Sequence, residues 1–228
     1  MRLKEVYNYF DSPAAPFSYF LVDRIAAPFV WLNVNYLKIP ANFISLISGI
    51  FVILTLFAFF NEKFILGGFY YFIAFLLDSI DGPTARATKT TSTLGVVLEA
   101  WTDSLRLVGC TFAIGFYLFQ KTSDFRWVYL SVVWMVTFAS GIWHYTKAKE
   151  TFKEFNPLTS KKIEGYKLAP FFTWIDLEMI AFFLAPIFGF LKKGFLILVY
   201  GYVLTTVVMS IYFVIASKKK KEPNIGNG

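Results

Sequence analysis

Apolar residues run through this chain in long blocks separated by short polar or basic breaks. Six blocks approach the roughly 20 residues that a bilayer core demands of a helix. They cover about 43–60, 64–80, 94–119, 127–144, 168–190 and 195–216. The third is the least apolar at its start, and the fifth carries Asp176 and Glu178. The pattern predicts an all-α membrane protein with six transmembrane helices. Residues 1–38 read differently, mixing aromatics with Asp11, Asp23 and Arg24. Pro13, Pro16 and Pro28 are expected to break any long helix there. The stretch 17–37 is amphipathic enough to form an N-terminal helix lying along the membrane surface. Three units follow: an interfacial segment 1–38, a six-helix transmembrane catalytic domain 39–217, and a basic flexible tail 218–228. No internal repeat is visible.

Composition strengthens this picture. Of 228 residues, 57% are hydrophobic and only 16% are charged. A soluble domain of this length cannot hide so much apolar surface from water. An ordinary soluble enzyme, a disordered chain and a disulfide scaffold are all excluded. The single cysteine, Cys110, lies in an apolar run and offers no disulfide framework. The opening Met1-Arg2-Leu3-Lys4-Glu5 is polar, so no cleaved signal peptide is expected.

The net charge of +7 is assigned to topology and anionic lipid, with no nucleic acid as partner. With the N-terminus inside, Arg2, Lys4, Arg24, Lys38, Arg86, Lys89, the Lys147–Lys167 connection and Lys218–Lys221 share one side. Lys63, Lys121, Arg126, Lys192 and Lys193 fall on the other. The positive-inside rule then makes this a multi-pass integral membrane protein with both termini cytoplasmic, and the connection between spans two and three cytoplasmic too.

Four carboxylates gather around that connection. Asp78 and Asp81 are three apart at the end of span two and share a helix face. Glu99 and Asp103 are four apart at the start of span three and share another, with Gly95 one turn before them. Two antiparallel helices joined by a short loop are expected to bring the pairs together. Four like charges in a low dielectric need protons or cations to neutralise them. An all-oxygen donor set suits Mg²⁺, Mn²⁺ or Ca²⁺ and not zinc. Two divalent ions would balance the charge and could clamp a diphosphate. Gly82 and Ala85 lack bulk, so a phosphorylated ligand can approach the backbone. Arg86 could pair with phosphate or carboxylate.

Read together, Asp78, Asp81, Gly82, Ala85, Arg86, Gly95, Glu99 and Asp103 form a pattern that resembles the signature of the CDP-alcohol phosphotransferases. That signature is Asp-x-x-Asp-Gly-x-x-Ala-Arg-x8-Gly-x3-Asp-x3-Asp. Seven of its eight positions match, and Glu99 stands where the third aspartate would. The longer arm shifts the metal or the helix by about 1 Å, a displacement that can cost roughly a hundredfold in rate. We expect an active enzyme with adjusted geometry. Pro40-Ala41-Asn42-Phe43-Ile44-Ser45 is similar to the family's Pro-Asn-x-x-Thr entry to span one, with Pro one residue early and Ser in place of Thr.

The resemblance implies metal-dependent transfer of a substituted phosphate from a CDP-alcohol to a hydroxyl, with release of CMP, in phospholipid synthesis. CDP-diacylglycerol or a similar CDP-lipid would be the donor and a small polar alcohol the acceptor. Asp78, Asp81, Glu99 and Asp103 would hold the metals, two ions of Mg²⁺ or Mn²⁺. Asp103 would also be the general base. Asn42, Asp81, Gly82, Ala85, Arg86 and Gly95 would bind the CDP moiety. Arg106 and Lys147 are candidates for the acceptor. A homodimer and a cytoplasmic active site are implied as well.

Arg106 has a second reading as an internal partner of Asp176 or Glu178. Those two acids do not share a face, so at most one points into the site while the other caps or snorkels. His144 is read as an interfacial polar residue. Two other functions stay open: an aminoalcohol phosphotransferase with a soluble CDP-alcohol and a lipid acceptor, suggested by Asp103-Ser104-Leu105, and a non-enzymatic ion or proton carrier. A catalytically silent member that binds lipid or a partner is a third possibility.

Overall fold

Helix α3, Ala41–Phe60, shows how this chain sorts its residues. Phe43, Leu46, Ile50, Ile53, Phe57 and Phe60 are exposed along one side. Ser45, Ser48, Val52, Thr55 and Phe59 are buried on the other. Apolar side chains out and small or hydroxyl side chains in is the sorting a lipid solvent favours. The small inner face lets α3 lie against both α4, Phe64–Thr88, and α5, Thr93–Thr122. Ser48 Oγ donates to Ala74 O of α4 at 2.9 Å. A Cβ on Gly67 of α4 would come within 2.2 Å of the Phe59 ring, so that contact requires glycine.

The computed structural model describes residues 1–10, 15–151, 161–163, 166–168 and 173–221. Ahead of α3 come α1, Leu3–Val6, a 3₁₀ turn Tyr7–Tyr9, and a longer helical run around α2, Asp23–Leu32. π-type segments Ser18–Val22 and Asn33–Leu37 flank α2 without a break. After α5 come α6, Arg126–Thr151, and an antiparallel pair, β1 Lys161–Ile163 and β2 Tyr166–Leu168, with Lys161 opposite Leu168. Then α7, Trp174–Glu178, passes through a π segment Met179–Leu184 into α8, Ala185–Phe188. Gly189, at φ +74°, closes it by adopting the left-handed conformation that costs glycine least. The last helix, α9, is Leu191–Lys221.

A helix thus stands on each of the six apolar blocks. Among the described residues three stretches, Ala41–Phe60, Phe64–Thr88 and Leu191–Val208, are long and apolar enough to cross a membrane. Two expectations need correction. The fifth helix starts at Trp174 and not at Leu168, because Leu168 pairs with Lys161 in the small sheet. Pro28 does not break the N-terminal helix but sits inside α2. Among the described residues α3 packs along both α4 and α5, while long side chains bridge α4 to α5.

The N-terminal helix buries Tyr19, Val22, Asp23, Ala26, Ala27, Val30 and Asn33 and exposes Phe20, Leu21, Phe29, Leu32, Tyr36 and Leu37. Its inner residues join Ile44 of α3 and Ile80 of α4 in one apolar cluster. It therefore braces the start of α3 and the last turns of α4, where the acidic motif begins. A larger cluster fills the middle of the bundle, centred on Tyr71, Ile114, Trp134, Phe182, Phe195 and Tyr202.

Candidate active site

Ser92 caps α5, its Oγ accepting from Gly95 N at 3.1 Å. The same hydroxyl oxygen accepts from Asn42 Nδ2 of α3 at 3.3 Å. A Cβ on Gly95 would lie 2.9 Å from Asn42 Oδ1. A side chain at this position would therefore push Asn42 from its place, while the helix itself makes no demand for glycine. Asn42 also lines a pocket of about 300 Å³ with Asn33, Lys38, Ile39, Pro40, Ala41, Thr88 and Thr90. Lys38 donates to Val34 O at that rim.

On α4, Asp81 is buried and its Oδ2 accepts from Ser45 Oγ of α3 at 2.5 Å. Ser45 Oγ also contacts Ala41 O at 3.2 Å. Sequence reasoning did not assign Ser45 a role. Its signal was the match to a hydroxyl position in the helix-entry motif. Gly82 lies beneath Arg86, and a Cβ there would be 3.3 Å from the guanidinium. Arg86 Nε donates to Tyr9 O at 2.7 Å, which ties the N-terminal segment to the motif. Ala85 lies on the same stretch of α4, half-buried.

On α5, Glu99 is exposed and Asp103 is half-exposed. Asp103 Oδ1 accepts from Arg106 Nη2 at 2.5 Å, and the Arg106 side chain is only 5% exposed. Arg106 CZ sits 5.6 Å from the Tyr71 ring centroid and 5.0 Å from that of Phe75. The guanidinium therefore lies against two α4 aromatics, which suits its weak hydration and flat charge. Its direct ion-pair partner is Asp103, not Asp176 or Glu178. Asp176 instead caps α7, accepting from Thr173 N at 2.6 Å and Thr173 Oγ1 at 2.9 Å. It also accepts from Phe17 N at 2.7 Å. Glu178 is buried and accepts from Tyr202 OH. The side chains of Lys147 and His144 lie outside the described residues, as does most of the Lys147–Lys167 connection.

The four motif carboxylates feel one another's fields: Asp78 senses Asp103, Asp81 and Glu99, and Asp81 senses Glu99 and Asp103. Among the described residues, no three acidic, histidine or cysteine side chains draw close enough to enclose a metal ion. Two oxygens are already engaged, by Ser45 and by Arg106. The donor chemistry, carboxylate oxygen without nitrogen or sulfur, fits a hard divalent cation.

These features define an α-helical membrane protein with an acidic site between the ends of two helices. The family model for CDP-alcohol phosphatidyltransferases matches residues 38–215, and the chain belongs to that family. No curated protein matches the chain significantly. The family transfers a phosphate-alcohol group from a CDP-alcohol and is generally dependent on a divalent metal. The matched region begins just before α3 and includes every motif carboxylate.

Proposed function

We propose that this protein transfers a phosphatidyl-type group from a CDP-lipid, such as CDP-diacylglycerol, to the hydroxyl of a small polar alcohol, releasing CMP. The observation that carries this reading is the near-complete acidic signature at the end of α4 and the start of α5, within a chain of the matching family.

In this reading Asp78, Asp81, Glu99 and Asp103 hold two Mg²⁺ or Mn²⁺ ions. Bound cations supply electrostatic stabilisation for the charge that develops on CMP. Ser45 fixes the carboxylate of Asp81. Asn42, Asp81, Gly82, Ala85, Arg86 and Gly95 line the CDP site, where glycine and alanine leave room for the nucleotide and Arg86 offers a guanidinium to its phosphates. Asp103 takes the proton from the acceptor hydroxyl. The acceptor oxygen then bonds to the phosphorus that carries the lipid, and the bridging P–O bond breaks. CMP departs with the bridging oxygen and its electron pair. Arg106 reaches an acceptor only by leaving Asp103, and Lys147 remains an acceptor candidate.

In this reading the chain makes six spans, the site faces the cytoplasm and the N-terminal helix lies along the membrane surface. A soluble nucleotide and alcohol enter from the cytosol while acyl chains stay in lipid. The exposed apolar face of the N-terminal helix favours that placement. We propose a homodimer on the family resemblance alone.

The test is an assay of purified protein in lipid nanodiscs with Mg²⁺ or Mn²⁺, CDP-diacylglycerol and a panel of polar alcohols. CMP release that requires one of the alcohols is expected. Absence of CMP across the panel, with protein shown to be folded, overturns the reading.

A further inference from the structure

The end of the bundle away from the acidic motif carries chemistry of its own. There α3 gives way to α4, α5 to α6 and α8 to α9. Two contacts fasten these turns to one another. Lys121 of α5 pairs with Glu62 at 3.1 Å, and Lys192 of α9 lies 5.5 Å from the Trp127 ring of α6. Between Phe64 at this end and Asp81 in the motif, α4 rises about 25 Å.

A groove of about 600 Å³ opens here, where the start of α4 meets the α8–α9 turn. Sites for organic ligands are of this size, about 300–1,000 Å³. Its walls include Ile65, Leu66 and Phe69 of α4, Pro186 and Ile187 of α8, and Leu191 of α9. Gly68 lets the two sides approach: a Cβ there would lie 3.2 Å from both Phe183 O and Pro186 Cβ and press on α8. Both rim turns are hydrogen-bonded in place, Lys63 N donating to Ala58 O at 2.8 Å and Phe190 N to Ala185 O at 3.0 Å. Ile65, Leu66 and Phe69 are exposed, as is the neighbouring Phe188. In a helix long and apolar enough to cross a membrane, such walls open to acyl chains and not to water.

Charge selects among lipids. Lys63, Lys121, Arg126, Lys192 and Lys193 stand at this end against Glu62 and Asp124. Lys121 is engaged by Glu62, Arg126 by Asp124 at 2.6 Å, and Lys192 by the Trp127 ring. Lys63 and Lys193 have no side-chain partner among the described residues. Lys63 belongs to the groove lining itself. Its stem can lie along an apolar wall while the ammonium stays at headgroup level. Glu62 lines the groove too, but its carboxylate is already held by Lys121. The surplus of positive charge repels the ammonium of a zwitterionic headgroup and attracts a headgroup that is anionic overall.

We propose that this groove binds one anionic glycerophospholipid, in the leaflet opposite the acidic motif. Lys63 meets its phosphate, and an acyl chain lies along Ile65, Leu66 and Phe69. The site is separate from the transfer chemistry, and its test does not depend on turnover.

The experiment places a photoreactive probe on the groove wall of the full chain, as Phe69→benzoylphenylalanine. The protein is held in nanodiscs of phosphatidylcholine with a minor share of phosphatidylglycerol bearing the same acyl chains. Mass spectrometry identifies what is attached after illumination. Phe57→benzoylphenylalanine is the reference, because Phe57 is exposed near the same end of α3 and lies outside the groove lining. The share of phosphatidylglycerol among adducts at position 69 should exceed its share of the bilayer roughly fivefold, the gain expected from about one lysine near an anionic headgroup. At position 57 it should stay within roughly twofold of the bilayer share. Lys63→Gln should bring position 69 down to the level of position 57, and Lys63→Arg should keep the enrichment. Lys63 is exposed, and an unchanged unfolding midpoint verifies that both variants fold. The bilayer share at position 69, or enrichment that survives Lys63→Gln, overturns the proposal. Adducts to a second copy of the chain in place of lipid also overturn it, since the groove would then be covered by protein.

Discussion

Arg106 and Asp103 sit three residues apart on α5 and are joined at 2.5 Å, the arginine buried and the aspartate half-exposed. The pair places the candidate base beside a fixed cation. It also explains how an arginine is tolerated among α4 aromatics. Arg106→Ala leaves Asp103 facing the field of Asp78 without a counter-charge. The variant should lose about 1–3 kcal/mol of stability, the cost of an unmade charged hydrogen bond. Its kcat should fall roughly tenfold or more. Denaturant unfolding in detergent and steady-state CMP release measure the two effects.

Ser45 offers a cleaner probe of the acidic site because it carries no charge. Ser45→Ala removes the bond to buried Asp81 and should cost about 1–3 kcal/mol. Ser45→Thr keeps the hydroxyl and should retain most of the activity. Comparing the two by unfolding and by CMP release separates loss of the hydrogen bond from general disturbance of α3.

Gly95→Ala makes an opposite-signed prediction for stability and function. Alanine favours a helix over glycine by about 1 kcal/mol. Its Cβ would meet Asn42 Oδ1 at 2.9 Å and Ser92 Oγ at 3.3 Å. The expected outcome is an unfolding midpoint no lower than wild type, with KM for the CDP-lipid raised roughly fivefold or more. Wild-type KM would show that Asn42 does not line the nucleotide site.

Glu99 is the one departure from the family signature, and it is exposed at the start of α5. Glu99→Gln should lower CMP release roughly a hundredfold if the proposed cation set includes this carboxylate. Glu99→Asp should remain active. A large gain in Glu99→Asp would mark the natural protein as attenuated.

The helical plan was legible because lipid demands long apolar blocks, and each block carries a helix. The acidic motif was legible because charges in such blocks are conspicuous. What sequence periodicity could not show was the partner of each charge. Arg106 was weighed against Asp176 and Glu178, yet its own helix supplied Asp103 one turn away. Asp176 was taken up by the N-terminus of α7 and by Phe17 N, a contact across 159 residues of sequence. Pro28 misled because packing of Ala26, Ala27 and Val30 against Ile44 and Ile80 holds a helix that a proline would break in isolation. Leu168 misled because hydrophobicity alone does not distinguish a short strand from the start of a span.

The most direct test of the acidic site as a working unit is CMP release by wild-type protein stripped with EDTA and then resupplied with Mn²⁺, beside Asp103→Asn under both conditions. Stripping should abolish release in wild type, Mn²⁺ should restore it, and Asp103→Asn should stay inactive throughout. Release that continues in EDTA, or that survives Asp103→Asn, would contradict the account.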